Sequence, residues 1–404
     1  MGHRAVRLKL STPPTDNPDA DPTDFWPDET PMELCPLSTL QHRIKLGSPL
    51  PFSIRDGQAR LLLAKDQIVE DERQLESWID GGAFVNLDEL RGARDEIHGA
   101  PPELLPSLWR KLGDQLSRVL TGMPSPQAPQ ALDDAARYLV ALAERAPDVA
   151  IFLLVRQDQS ENARYGVTRS LQAAAAAFLI ALRLGWPADR RLTLVKAAFT
   201  MNLGMLDLQE RLSNQARLPN PGQRHAIHMH PLTSVASLKD SGVTDAEWLD
   251  AVARHHEKPD GSGYPTATTE VGEMASALRI VDVYTAKLAG RSGRDALPPT
   301  RAARDLLVVE RGNPFALALV TEFGLYPPGS LVRLQSGEVG VVVQRSADSG
   351  APRVAVLSGR RGEPLAEPLV REAGGREFGI AGPAESNGSR VRISAERLYA
   401  KVLS

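Results

Sequence analysis

From Pro101 to about residue 323, apolar side chains recur every three or four positions, the spacing that turns one face of an α-helix toward a core. PELLPSLWRKLGDQLSRVL and QALDDAARYLVALAERA carry the pattern first. The alanine-rich run from Tyr165 to Leu184 continues it, and Gly185-Trp186-Pro187 closes that helix. Further helices are expected at about 190–213, 224–239, 245–257 and 273–290, with a last long one at about 299–323. The middle of the chain is therefore a helical region, expected over 98–326.

The two ends read differently. Residues 1–43 are rich in Pro, Asp and Thr without periodicity, which predicts a flexible arm. LPFSIRDGQARLLLAKDQIV places two apolar runs around Asp56-Gly57, a hairpin signal. ERQLESWIDGGAFV follows as a short helix stopped by Gly81-Gly82 and then a strand, so 44–97 should be a small α+β or barrel-like module. After residue 326, PPGSLVRLQSGEVGVVVQRS and APRVAVLSGRRG are β-branched runs broken by glycine turns, predicting a β-hairpin module over 327–404.

A formal net charge of −3 gives no general attraction to nucleic-acid polymers or to anionic lipid. The single cysteine, Cys35, excludes an internal disulfide and any CxxC zinc pattern. The N-terminus lacks the apolar core of a signal peptide, and the longest apolar run, AAAAAFLIAL from Ala173, is short for a membrane span. A cytoplasmic protein is expected. Gly261-Ser262-Gly263 is not a phosphate-binding loop, because no GK[ST] follows.

Five of the eight histidines fall between positions 225 and 256. In ARHHEKPDGSGYP, His255 and His256 stand side by side before a glycine-rich turn. Neighbours on a helix point about 100° apart, so two adjacent imidazoles reach separate metals more readily than they chelate one. The competing explanation is a solvated helix end, where cationic groups suit the helix dipole. His225 and His228, three residues apart, could share a face and add to a site, or be plain polar helix positions.

HHEKPDGSGYP resembles the signature of the HD-GYP family of the HD superfamily. Asp260, Gly261, Gly263, Tyr264 and Pro265 form its signature loop. ALRIVDVYTAK is similar to the family's next helix, with Asp282 in the metal-ligand position, and His230-Pro231 matches an intermediate histidine. FGLYPPGSLVRLQSGEVGVVV resembles the segment that follows many such domains, so the likeness runs from Tyr165 to Val343, with the domain core at about 150–326. The resemblance implies a mainly α fold, an HD-superfamily helical bundle with the two small modules at its ends. It also implies hydrolysis of cyclic di-GMP on two or three iron or manganese ions, and a loop that recruits GGDEF-type partners.

The early half of the family pattern is absent. Arg169 stands where the first histidine belongs, Met201 and Asn202 replace the His-Asp pair, and Met205 replaces the lysine. Methionine is a poor ligand for iron or manganese, asparagine carries no charge, and arginine brings a fixed positive one. Residual ligand positions are His230, His255, His256 and Asp282. No cofactor is expected, or at most one iron or manganese ion. Met201 and Met205, four apart, are expected to fill core volume together. Arg169 is expected to pair with Asp282 in the interior, or else to extend to solvent from an amphipathic helix. Arg291 and Arg294 are expected to be solvated, or to meet phosphates. Three functions follow: a non-catalytic regulatory protein of cyclic di-GMP signalling, binding the nucleotide or a GGDEF-type protein; a weak phosphodiesterase on one metal; or an interaction scaffold.

Overall fold

The computed structural model describes residues 34–402 apart from 42–43, 45, 51, 59, 66, 70, 87–92, 157–164, 293, 346–349 and 385–393. The chain divides into two units, Met1–Gly99 and Ala100–Ser404.

In the first unit, β1 (Leu34–Pro36), β2 (Ile54–Arg55), β3 (Leu61–Leu63) and β4 (Phe84–Asn86) form an antiparallel sheet in the order β1-β4-β2-β3. The hairpin turns where the sequence puts it. The Asp56 carboxylate accepts from the backbone N–H of Gln58 and Arg60, both at 2.9 Å, and so closes the turn. Helix α1 (Glu72–Asp80) is capped by Asp71, whose carboxylate accepts from Arg73 N–H. Leu37, Leu50, Phe52, Ile54, Val69 and Val85 are the core. The expected arm is corrected at its end: β1 lies inside 1–43 and pairs with β4, because Cys35 and Leu37 supply apolar surface to this core. The rest of that arm, 1–33, lies outside the described residues. A short helix, α2 (Ala93–Gly99), ends the unit.

The second unit begins with α3 (Leu105–Thr121), α4 (Ala128–Arg145) and α5 (Pro147–Arg156). Helix α6 (Tyr165–Arg183) is the central one, with Ala173–Ala181 fully inside the bundle. Among the described residues it is the one helix long and apolar enough to cross a membrane, and 78% of that stretch is buried by its neighbours. The alanines explain why: small side chains let α7 (Ala188–Thr200) pack closely along it.

Two expected helices are broken. The 190–213 span stops at Thr200, passes through a 3-10 turn (Leu203–Met205) and restarts as α8 (Leu206–Ser213). Gly204 permits the break. A Cβ there would sit 2.6 Å from the His230 carbonyl oxygen, so only glycine lets the turn lie against α9 (Pro221–Asp240). The other restart has a plainer cause. Gly312-Asn313-Pro314 splits 299–323 into α12 (Pro299–Val309) and α13 (Pro314–Phe323), and the Asn313 side chain caps the second by accepting from Phe315 and Ala316 N–H. Between α9 and α12 lie α10 (Ala246–Arg254) and α11 (Glu273–Leu288).

Strands β5 (Leu331–Leu334), β6 (Val339–Gln344), β7 (Arg353–Ser358), β8 (Pro364–Glu372) and β9 (Ile380–Pro383) form one antiparallel sheet in the order β8-β7-β6-β5-β9. A one-turn helix, α14 (Gly375–Phe378), precedes β9, and α15 (Ala395–Val402) closes the described chain. The sheet belongs to the same unit as the bundle. Arg345, just after β6, reaches Asp148 of α5 and Glu322 of α13, and the Tyr399 hydroxyl of α15 donates to the Asp148 and Val343 carbonyls.

Candidate metal centre

His230, His255 and His256 converge. One nitrogen from each lies within 4.8 Å of the other two, and His230 and His255 are fully buried. Three elements bring them together: α9 carries His230, the C-cap of α10 is His255, and His256 opens the turn beyond it.

The orientation of each ring follows from the backbone. Pro231 sits inside α9 and has no N–H, so the Ile227 carbonyl four residues earlier loses its helical partner. His230 Nδ1 takes that carbonyl at 2.6 Å. At the end of α10 the last carbonyls are likewise unpaired, and His255 Nδ1 takes Val252 O at 2.7 Å. A carbonyl only accepts, so both Nδ1 atoms carry the proton and both Nε2 atoms present a lone pair. Those two Nε2 atoms are 3.1 Å apart. His256 Nε2 is buried with no protein partner.

Burial, and then the charge of His255, holds His230 down to about 3; burial, and then His256, does the same for His255. Burial also pushes His256 well below the ordinary imidazole value, with His230, Arg279 and His228 adding to it. All three are neutral near pH 7, the state a metal requires.

The signature loop holds His256. Tyr264 lies stacked between His256 at 4.5 Å and His228 at 4.4 Å. His228 therefore packs on the loop; with His225 it stands outside the convergent group. Gly263 allows the loop to fold back: a Cβ there would lie 2.5 Å from Glu257 Cα. Glu257 is fully buried and accepts from the Thr266 N–H and hydroxyl at 2.7 and 2.8 Å, which pins the far end of the loop. Asp260 and Ser262 are exposed at the tip, where the Asp260 carboxylate accepts from Ser262.

Asp282 of α11 lies outside the set of nitrogens within 4.8 Å of one another, but its charge acts on His230 and His255. Arg169 of α6 donates from Nη2 to Asp282 Oδ1 at 3.1 Å and to its backbone oxygen at 3.2 Å. The guanidinium is 5% exposed and the carboxylate 14%. The interior pairing expected from the sequence is thus present, and the solvent-directed alternative is not. Asn202 is fully buried, and both its amide atoms lack a protein partner. Met201 is buried, whereas Met205 is half-buried and lines a groove of about 800 Å³ with Leu206, Arg211 and Gln223. That corrects the joint core role: α7 ends before Met201, so the two methionines share no helix face. Arg291 and Arg294 are both exposed, and Arg294 donates to the Ala286 and Ala289 carbonyls at the end of α11.

The donor set fits one cation and not a cluster. The lone pairs of His230 and His255 face each other with a nitrogen of His256 within 4.8 Å, but the Asp282 carboxylate is engaged by a guanidinium, and Met201 and Asn202 offer neither charge nor imidazole. The sequence pattern identified the three histidines and the ion pair. It gave no sign of Pro231, Ile227 and Val252 as the groups that set the tautomers, or of His228 and Glu257 as supports for the loop. The His-Pro dipeptide was the available signal, since a proline within a helix always frees a carbonyl four residues back.

Residues 153–313 match the HD domain family. Its relatives include the cyclic di-GMP phosphodiesterase PA4108 of Pseudomonas aeruginosa PAO1, with 29% identity over 230 residues, 55% of this chain and 54% of that protein. The match thus spans about half the length of that curated relative. Among solved structures, Bd1817, an HDG"Y"P protein from Bdellovibrio bacteriovorus, superposes with a TM-score of 0.46 at 14% identity, over 71% of this chain and 97% of that one.

Proposed function

We propose that this protein is a cytoplasmic regulator in cyclic di-GMP signalling whose HD domain binds the nucleotide without hydrolysing it at a two-metal centre. What supports the reading most is the Arg169–Asp282 pair. In-line hydrolysis on paired cations needs a carboxylate-rich cradle that generates and aims a metal-bound hydroxide. Here the carboxylate faces a permanent cation instead. The exposed tip of the signature loop, Asp260 to Ser262, is the surface on which a GGDEF-type partner would dock.

A titration of the full chain with cyclic di-GMP, alongside chromatographic assay for linear products in the presence of manganese or iron(II), tests this. Saturable binding without turnover is expected. Turnover that disappears in His255→Ala would overturn it. Absence of both binding and turnover would leave an interaction scaffold. One observation favours a second reading, weak hydrolysis on a single ion: the three convergent imidazole nitrogens. Slow turnover with one bound equivalent of metal would establish that alternative.

A further inference from the structure

We propose that the outward face of α9 is an interface on which a second copy of this chain docks, the two α9 helices pairing antiparallel about a two-fold axis. This goes beyond the nucleotide-binding role and depends neither on nucleotide nor on metal.

The case begins with missing charge. Twelve of the twenty residues of α9 are exposed, yet no Asp, Glu, Lys or Arg occurs from His225 to Leu238. A solvated helix face is ordinarily charged, and depletion of charged residues marks the centre of a protein interface. The helix is also inverted. Its buried residues are His230, Pro231, Ser234 and Leu238, whereas Met229 and Leu232 face away from the bundle, 37% and 38% exposed. Gly222, His225, Met229, Leu232, Ala236 and Lys239 follow at alternating spacings of three and four, and all six are exposed. That is the spacing of a seam along which one helix pairs with another.

The seam complements itself in one direction. With the axis between Met229 and Leu232, Met229 meets the partner's Leu232, His225 meets the partner's Ala236, and Gly222 meets the partner's Lys239. The outer layers thus set a long side chain against a small one, which lets the helices approach closely. Arg224 then lies within a helical turn of the partner's Asp240, and the two helix dipoles oppose each other. A parallel pair would instead bring arginine to arginine and lysine to lysine, which like charge disfavours.

Leu218 supplies the ends of the interface. It is 89% exposed, and its loop is held fast. Gln215 Nε2 donates to the Arg217 and Leu218 carbonyls at 2.8 and 3.3 Å, and Arg224 Nη1 donates to the Pro219 carbonyl at 2.6 Å. A loop already ordered in the free chain loses little entropy when its leucine is buried. In the antiparallel pair Leu218 projects past Gly222 toward the C-terminal end of the partner's α9. At that end the groove of about 800 Å³ opens beside Leu120, Met123 and Ser237, where Ser125 N–H donates to the Ser241 hydroxyl at 3.1 Å. A two-fold gives each copy one leucine to insert and one groove to fill, so the assembly closes as a dimer. The seam is about 26 Å long at 1.5 Å per residue. With a filled groove at each end it approaches the roughly 800 Å² per partner of a stable complex.

Sedimentation of the full-length chain without nucleotide, over about 1–200 μM, tests this. A monomer–dimer equilibrium is expected. Met229→Asp with Leu232→Asp should weaken the dimer at least about 10-fold, because carboxylates would be buried unpaired, and Leu218→Asp should weaken it as well. All three positions are exposed in the free chain, so melting temperatures measured at dilution should not fall. The register is tested with Cys35→Ser in the background. A mixture of His225→Cys and Ala236→Cys chains should form a disulfide-linked dimer under mild oxidation, and neither chain alone should, since equal positions lie beyond the roughly 7 Å that a disulfide spans. If the aspartate variant fails to fold, this crosslink still decides. A chain that stays monomeric leaves the face to a different protein and overturns the proposal. A dimer indifferent to the aspartates, or His225→Cys chains that crosslink to each other, would overturn it too. Failure of nucleotide binding would leave it standing.

Discussion

Arg169 and Asp282 join α6 to α11 across the interior, the guanidinium buried and the carboxylate mostly so. Removing one partner of such a pair costs about 3–5 kcal/mol, because the other is left buried and uncompensated. Arg169→Ala should therefore lower stability by that order in denaturant melts. The double substitution Arg169→Ala with Asp282→Ala should recover part of the loss, and a double-mutant cycle without coupling would refute the pairing. This contact was readable from the sequence because arginine fell where the family pattern puts a metal ligand and Asp282 was retained. The orphaned amide of Asn202 was not readable, since an asparagine in a sequence says nothing about whether its neighbours can bond it. Neither was the fate of Met205, which depended on a helix ending one residue before Met201.

The elements around the three imidazoles hold by close approach and by neutrality. Gly263 brings the signature loop onto the end of α10, with room for no side chain against Glu257 and His256. Gly263→Ala should cost about 1–3 kcal/mol, the usual cost of overpacking, and should loosen the Tyr264 stack on His256. Hydrogen exchange at Tyr264 N–H, which donates to His256 O, would record that loosening. Acid acts on the same elements. In chelator-treated protein the folded values of His230 and His255 lie near 3 against 6.5 for a free imidazole, so the unfolded chain takes up protons first. Stability is then fully present above about pH 6.5 and declines as pH falls toward 3, by at most about 1.4 kcal/mol per unit for each ring. Denaturant midpoints measured across that range should show the decline, and a flat profile would contradict the buried neutral assignment. Helix positions came correctly from periodicity, but the interruptions at 201–205 and 310–313 did not, because local turns depend on glycine approaches and caps that outrank apolar spacing.

Across the full chain, two units with separate cores imply two unfolding events. Residues 1–99 are organised around the small sheet, and residues 100–404 combine the bundle with the five-stranded sheet. Calorimetry of the full chain should resolve two transitions, the larger belonging to the second unit, whose enthalpy scales with its greater length. The C-terminal sheet should melt with the bundle and not by itself, because Arg345 and Tyr399 tie it to α5 and α13. Arg345→Met should separate a third transition or lower the larger one. The division after Gly99 lies where β-patterning gives way to helical spacing. The union of bundle and sheet was not legible in the sequence, since it comes from ion pairs between residues nearly two hundred positions apart.

The way His230 and His255 are held has a consequence for how such a centre can be built elsewhere. Each ring is aimed by a carbonyl three residues behind it on its own helix. No distant side chain sets either tautomer, so the two presentations are local grammar: histidine before an in-helix proline, and histidine at a helix's final cap. Such pieces are portable. Two helices of this kind placed end to flank in a designed bundle would offer paired lone pairs without any outer carboxylate.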